Sequence, residues 1–343
     1  MRVPPGLSAG RRLADRALPL WPGTAVAVLL ALAARFVADH HGAPAMLMAL
    51  LFGIALNFLG TTERTAPGIA FSARSVLRFG VAILGARISA EMLGVLGWEM
   101  IGLLVVGTVA TILFGVGLAR VIGQGPRFAI LTAGAVAICG ASAAMAIAAV
   151  LPRDARSERN LIFTVLGVTL LSTVAMILYP ILTDALGFDE VTAGAFIGAT
   201  VHDVAQVVGA GFSISDSAGE TSTLVKLIRV SFLAPVVVLI ALWWKHAAQA
   251  GQGARPPLVP GFVLGFLCLA TANSLGLIPE AVRGGLASLS SWALLTAIAA
   301  VGMKTDLRDI LQVGAGPITL IMAETLFLAG LILAGIGLLG LGP

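Results

Sequence analysis

Apolar residues fall in long runs separated by short stretches of Pro, Gly and charge, and about eleven runs approach the ~20 residues a helix needs to cross a bilayer. They lie near 21–38, 44–60, 73–96, 98–119, 128–150, 160–181, 190–211, 222–244, 258–275, 286–303 and 316–341. Several are short or interrupted by glycine. The pattern predicts an all-α polytopic membrane protein with broken helices at its midplane. It reads as one transmembrane domain over 1–343, with residues 1–20 as a cytoplasmic N-terminal segment and the bundle at 21–341.

Composition supports that reading: 58% of residues are hydrophobic, 11% are charged and mean hydropathy is +1.02. Soluble domains carry about a quarter charged residues, so no separate soluble catalytic domain is expected. The net charge of +4 sits in short loops rather than in one basic block, which suits positive-inside orientation and gives no reason to expect a nucleic-acid partner. Cys139 and Cys268 lie in apolar runs and form neither a disulfide framework nor a metal motif.

Arg11, Arg12 and Arg16 precede the first apolar run. The stretch has the shape of a signal peptide with Ala31-Leu32-Ala33 as a cleavage site, but an uncleaved first span with a cytoplasmic N-terminus is the preferred expectation. Alternating sides from there places Arg64, Arg120, Arg127, Lys245, Arg255, Lys304 and Arg308 inside. Two loops then disagree with the bias. The arginines of 151–160 fall outside, and the acidic turn with Asp184, Asp189 and Glu190 falls inside. Re-entrant half-helix pairs at 128–150 and 190–211, entering from opposite faces, would repair both loops; broken helices that cross are the alternative. Short echoes, LNFLG at 56–60 with ANSLG at 272–276 and 83–93 with 300–310, suggest an inverted repeat.

Candidate chemistry centres on FIGATVHDVAQVVGAG, 196–211, which puts His202, Asp203 and Gln206 in the middle of an apolar run. Ionisable residues at bilayer depth cost about 2.5–3.5 kcal/mol on insertion scales and usually face a cavity, pathway or partner. A buried structural cluster is the alternative. In AICGASAAMA, 137–146, Gly140-Ala141-Ser142 echoes Gly198-Ala199-Thr200. Close helix packing would explain such small residues; two such breaks at the midplane would instead present half-helix N-termini to an anion. Lys226 and Arg229, at i and i+3, share one helix face. They would snorkel to the interface, neutralise Asp203 or attract an anion. Arg78 and Glu324 stand as single intramembrane charges, and Asn273 is either a core amide or a ligand contact.

No zinc helix, nucleophile elbow, P-loop or dinucleotide fingerprint is present, so neither an enzyme nor a cofactor is expected. Gradient coupling, exchange or a channel remains.

Across about residues 20–341 the chain resembles the sulfate exporter family of bacterial inner-membrane proteins. The resemblance rests on PGIAFSARSVLRFGVAILGARIS at 67–89, AICGASAA at 137–144, GATVHDVAQVVGAG at 198–211, VKLIRVSFLAP at 225–235 and NSLGLIP at 273–279. It implies a fold akin to cation/proton antiporters and bile-acid symporters, with inverted repeats and a crossing pair at 128–150 and 286–303. It also implies a multi-pass inner-membrane location and a small sulfur anion as substrate; a homodimer follows from fold analogy alone. The expected substrate site is Gly140, Ser142, Gly198, Thr200, His202, Gln206, Lys226, Arg229 and Asn273. His202 and Asp203 would couple transport to a proton or sodium ion, with sodium/proton antiport lacking an anionic substrate, or a non-transporting membrane component, as the alternatives.

Overall fold

A computed structural model describes residues 18–41, 45–88, 90–152, 154–244, 261–305 and 315–340. The basic N-terminal stretch and residues 306–310 of the second echo lie outside them. The described chain is all-helical. Seven helices within it are long and apolar enough to span a membrane, and five shorter apolar helices accompany them. The chain divides into two compact units, Met1–Leu84 with Pro279–Asp306, and Gly85–Ile278 with Leu307–Pro343.

The first unit holds α1 (Trp21–His41), α2 (Ala45–Ala55), α3 (Ala66–Phe71), a π-turn at Ser72–Val76, α4 (Leu77–Leu84) and α14 (Glu280–Lys304). Helix α14 packs on α1, α2 and α4, and its Ser290 hydroxyl donates to the Gly80 carbonyl at 2.8 Å. The apolar centre is Ala27, Ile69, Ala300 and Met303. Helix α14 is unbroken over the predicted run 286–303. The broken helix that the crossing pair required at 286–303 is therefore absent. An Ala-rich run with continuous i→i−4 bonding has no unsatisfied backbone to offer at its middle.

The second unit contains α5 (Ala90–Val121), α6 (Pro126–Ala137), α7 (Ala141–Val150), α8 (Ser157–Ala185), α9 (Glu190–Thr200), α10 (Val204–Ile214), α11 (Asp216–Ser231), α12 (Leu233–Trp243), α13 (Gly261–Ser274) and α15 (Ala315–Leu338). Helices α6 and α7 come from one apolar run, yet they fold back on each other. A Cβ on Gly134 would strike the Ile147 side chain, although a straight helix would hold those residues ~20 Å apart. At the open end, Arg127 Nη1 pairs with Asp154 Oδ2 at 2.9 Å. Helices α9 and α10 form a second hairpin. Gly194 on one arm and Gly211 on the other both abut Ala218 of α11, against a straight-helix separation of ~25 Å.

Both interrupted runs are thus hairpins, the shape of re-entrant pairs rather than of broken helices that cross. Helix α8, 29 residues and so ~43 Å long, connects the open end of the first hairpin to that of the second. Helix α8 is long and apolar enough to cross a membrane between them, an arrangement in which the two hairpins would enter from opposite faces.

Candidate functional site at the hairpin tips

The hairpins meet tip to tip. Each tip exists because helical bonding stops: over Ile138–Gly140 in the first, over Val201–Asp203 in the second. Gly140 adopts φ +61°, a left-handed conformation that glycine tolerates and other residues rarely do. A Cβ there would lie 3.5 Å from His202 Cβ, so the two turns are in contact.

A break leaves the last carbonyls of the preceding arm without partners, and at membrane depth no water replaces them. Lys226 and Arg229 fill that need from α11. Lys226 Nζ donates to the Ile138 and Val201 carbonyls, 2.8 Å each, joining one tip to the other. Arg229 directs Nε to Ala137 O (3.2 Å), Nη2 to Val136 O (3.0 Å) and Ala137 O (2.7 Å), and Nη1 to Gly198 O (3.3 Å) and Val201 O (3.5 Å). All five guanidinium N–H groups therefore face carbonyls. Both side chains are fully buried, so neither snorkels to the interface. The shared face expected from their i, i+3 spacing is the one used. Two cations beneath two helix C-termini, each worth roughly −0.5 charge, put positive charge behind the tips that the Asp203 carboxylate on the second tip offsets in part.

The arms beyond the breaks begin differently. Helix α10 is capped by its own carboxylate: Asp203 Oδ1 accepts from the Ala205 N–H at 3.2 Å, and the Asp203 N–H donates to Ser172 Oγ of α8 at 3.0 Å. Asp203 also interacts electrostatically with Lys226. Helix α7 follows Gly140, which has no side chain to cap it. Among the described residues the Ala141 and Ser142 N–H groups make no hydrogen bond, and the Ser142 side chain is exposed. The Gly198-Ala199-Thr200 echo is not an equivalent break. It closes α9 at a C-terminus, Gly198 packs against the Ser222 carbonyl, and Thr200 Oγ1 donates within its own helix to Phe196 O at 2.6 Å. Its expected half-helix N-terminus is therefore absent.

His202 is fully buried, and its Nε2 lies 2.9 Å from Thr325 Oγ1 of α15. Thr325 has one hydroxyl proton, and Ile321 O at 2.8 Å receives it. With that proton on Ile321 O, Thr325 accepts from His202 Nε2, and the ring also interacts with the Val136 carbonyl of the first arm. Gln206 Nε2 reaches Thr173 Oγ1 of α8 at 3.5 Å, while its Oε1 is buried without a partner. Asn273 is elsewhere: its Nδ2 donates to Ile88 O at 3.1 Å, and no contact ties it to the tips.

Sequence reasoning missed the supporting hydroxyls. Ser172 and Thr173 of α8 hold the second tip, and Thr325 holds His202. The i, i+3, i+4 spacing of Thr169, Ser172 and Thr173 is a readable stripe, but hydroxyls inside apolar helices ordinarily bond their own backbone.

The family described as conserved hypothetical protein 698 matches residues 20–321. Among similar proteins, "UPF0324 membrane protein TauZ" of Paracoccus pantotrophus is 62% identical over 93% of this chain and 96% of its own length. "UPF0324 membrane protein RB0971" of Rhizobium meliloti is 60% identical over 93% of each, and "UPF0324 membrane protein CT0845" of Chlorobaculum tepidum is 47% identical over 92% and 89%. No solved structure matches the chain.

Proposed function

This chain belongs to the conserved hypothetical protein 698 family of membrane proteins, and we propose that it works as a secondary transporter that moves a small oxyanion by alternating access. The observation that carries the reading is the pair of opposed hairpin tips. Lys226 and Arg229 bring positive charge to that junction from behind, and α7 begins there uncapped after Gly140, with Ser142 exposed in its first turn. A helix N-terminus backed by buried cations favours an anion. Sulfate, sulfite or a small sulfonate fits donors that are few and not arranged for an extended ligand.

The cations act through charge, since their hydrogen bonds go to carbonyls. Gly140 supplies the bare turn, and Gly198 the close seat of α9 on α11. His202 and Asp203 stand on the second tip, where gain or loss of a proton or sodium ion would alter the junction; sodium/proton exchange without an anion is the competing reading. With both hairpins re-entrant, a cytoplasmic N-terminus puts the arginines of 151–160 inside and the acidic turn at 184–190 outside. That order obeys the positive-inside rule and supports an inner-membrane protein of this orientation.

The test is flux in proteoliposomes. Radiolabelled sulfate uptake, competed by sulfite and small sulfonates, is expected under an imposed pH or sodium gradient, and is expected to vanish in Asp203→Asn. Unchanged coupled uptake in that variant removes Asp203 from coupling. Sodium-dependent proton movement indifferent to every anion overturns the anion reading.

A further inference from the structure

Glu324 lies on α15 beside the residue that holds His202, and none of the transport steps above uses it. It is completely buried, and its Oε2 has no hydrogen-bond partner. From α5, the bare Gly115 backbone lies so close that an added Cβ would collide with Oε1, and one turn earlier Thr111 presents another buried, unpartnered hydroxyl. Helix α6 supplies Thr132. Helix α8 meets the neighbouring turn through Gly167 against Ile321. His202 reaches α15 from the second tip through Thr325, and among the described residues Thr132 is the side chain that bonds Glu324.

The hydrogen bonds at Thr132 define the protonation state. Its Oγ1 lies 2.9 Å from Glu324 Oε1 and 3.1 Å from the Ala129 carbonyl. A hydroxyl has one proton to give. Were Glu324 ionised, Thr132 would serve either the carboxylate or Ala129, and a buried negative charge would keep at most one hydrogen bond. With the proton on Glu324 Oε1, the acid donates to Thr132 Oγ1 and Thr132 donates to Ala129 O. Both distances are then used, and no isolated charge is buried. His202, Thr325 and Ile321 repeat the same relay. Adjacent residues of α15 thereby grip both hairpins: Glu324 an arm of the first, Thr325 the tip of the second.

We propose that Glu324 is an exchangeable proton-binding site, neutral in this conformation, whose deprotonation releases the α15 grip on the first hairpin. A proton on Glu324 accounts for both Thr132 distances with no further ligand, so the proton is the fitting cation. An ionisable residue inside a membrane bundle commonly marks such a relay. The coupling part rests on the transport reading, whereas the proton site does not.

Infrared spectroscopy of the full-length protein in lipid tests the site without any substrate. A carbonyl band of a neutral carboxylic acid is expected at neutral pH. It should shift in D2O, bleach at raised pH, persist in Asp203→Asn and be lost in Glu324→Gln, whose amide still donates to Thr132. Thr132→Val, read alongside, should move the band to the position of an unbonded acid. A band untouched by Glu324→Gln, absent from the native protein, or inert to both D2O and pH overturns the proposal. In liposomes, Glu324→Gln should abolish stimulation of anion flux by a pH gradient while anion exchange continues. Persisting stimulation refutes the coupling, and absence of any anion flux in the native protein with the band intact refutes the transport reading alone.

Discussion

Replacing Lys226 by Met keeps much of the side chain's length and removes the ammonium that joins the tips. Ile138 O then loses its hydrogen bond, whereas Val201 O keeps only the long 3.5 Å approach of Arg229 Nη1. A buried acceptor left unsatisfied costs about 1–3 kcal/mol. One full loss and one partial loss amount to about 2–4 kcal/mol, or roughly 30- to 700-fold in the opening equilibrium of the tips. Amide hydrogen exchange by mass spectrometry on the protein in lipid reads that opening directly. Peptides covering 138–144 and 201–207 should exchange faster by that factor, while α14, in the other unit, keeps its native rate. A contrary term exists, because burying an ammonium is itself costly. Unchanged or slower exchange at both tips would mean that this cost dominates, and would refute the claim that the carbonyls require the cation.

Thr325→Val removes the acceptor for His202 Nε2–H and should lower thermal stability in detergent by about 1–3 kcal/mol, whereas Thr325→Ser retains the hydroxyl and should restore most of it; equal loss in both variants would assign the effect to packing. The open end of the first hairpin should resist acid. The Asp154 carboxyl is held below the ordinary carboxylate range by the Arg156 N–H, then the Ser157 hydroxyl, then Arg127. A lowered pKa in the folded state stabilises above the unfolded value and fades as pH falls through the folded one. Protection of the 154–157 amides, relative to the intrinsic rate at each pH, should therefore persist through the ordinary carboxylate range and be lost only below it; Asp154→Asn should lack that protection at every pH.

Of the eleven apolar runs, seven contain helices long enough to span; these were legible because lipid demands length and apolarity, and both are written residue by residue. What hydropathy could not express is direction: an α-helical run of about 20 residues has the same composition whether it crosses or turns back. Charge raised the re-entrant arrangement, which puts the arginines of 151–160 and the acids near 184–190 on the sides the bias requires, but left the crossing alternative open. At the site, the i, i+3 spacing of Lys226 and Arg229 correctly gave a common face but not its partners, because the carbonyls they serve come from two other helices and carry no residue identity. Gly198-Ala199-Thr200 misled for a related reason. Small residues mark close approach to a neighbour, here α11, as readily as they mark a break, and only the backbone distinguishes the end of α9 from the start of α7. Glu324 was visible as a lone charge, yet its role depends on one hydroxyl proton at Thr132, 192 positions away in sequence, which the linear pattern does not encode.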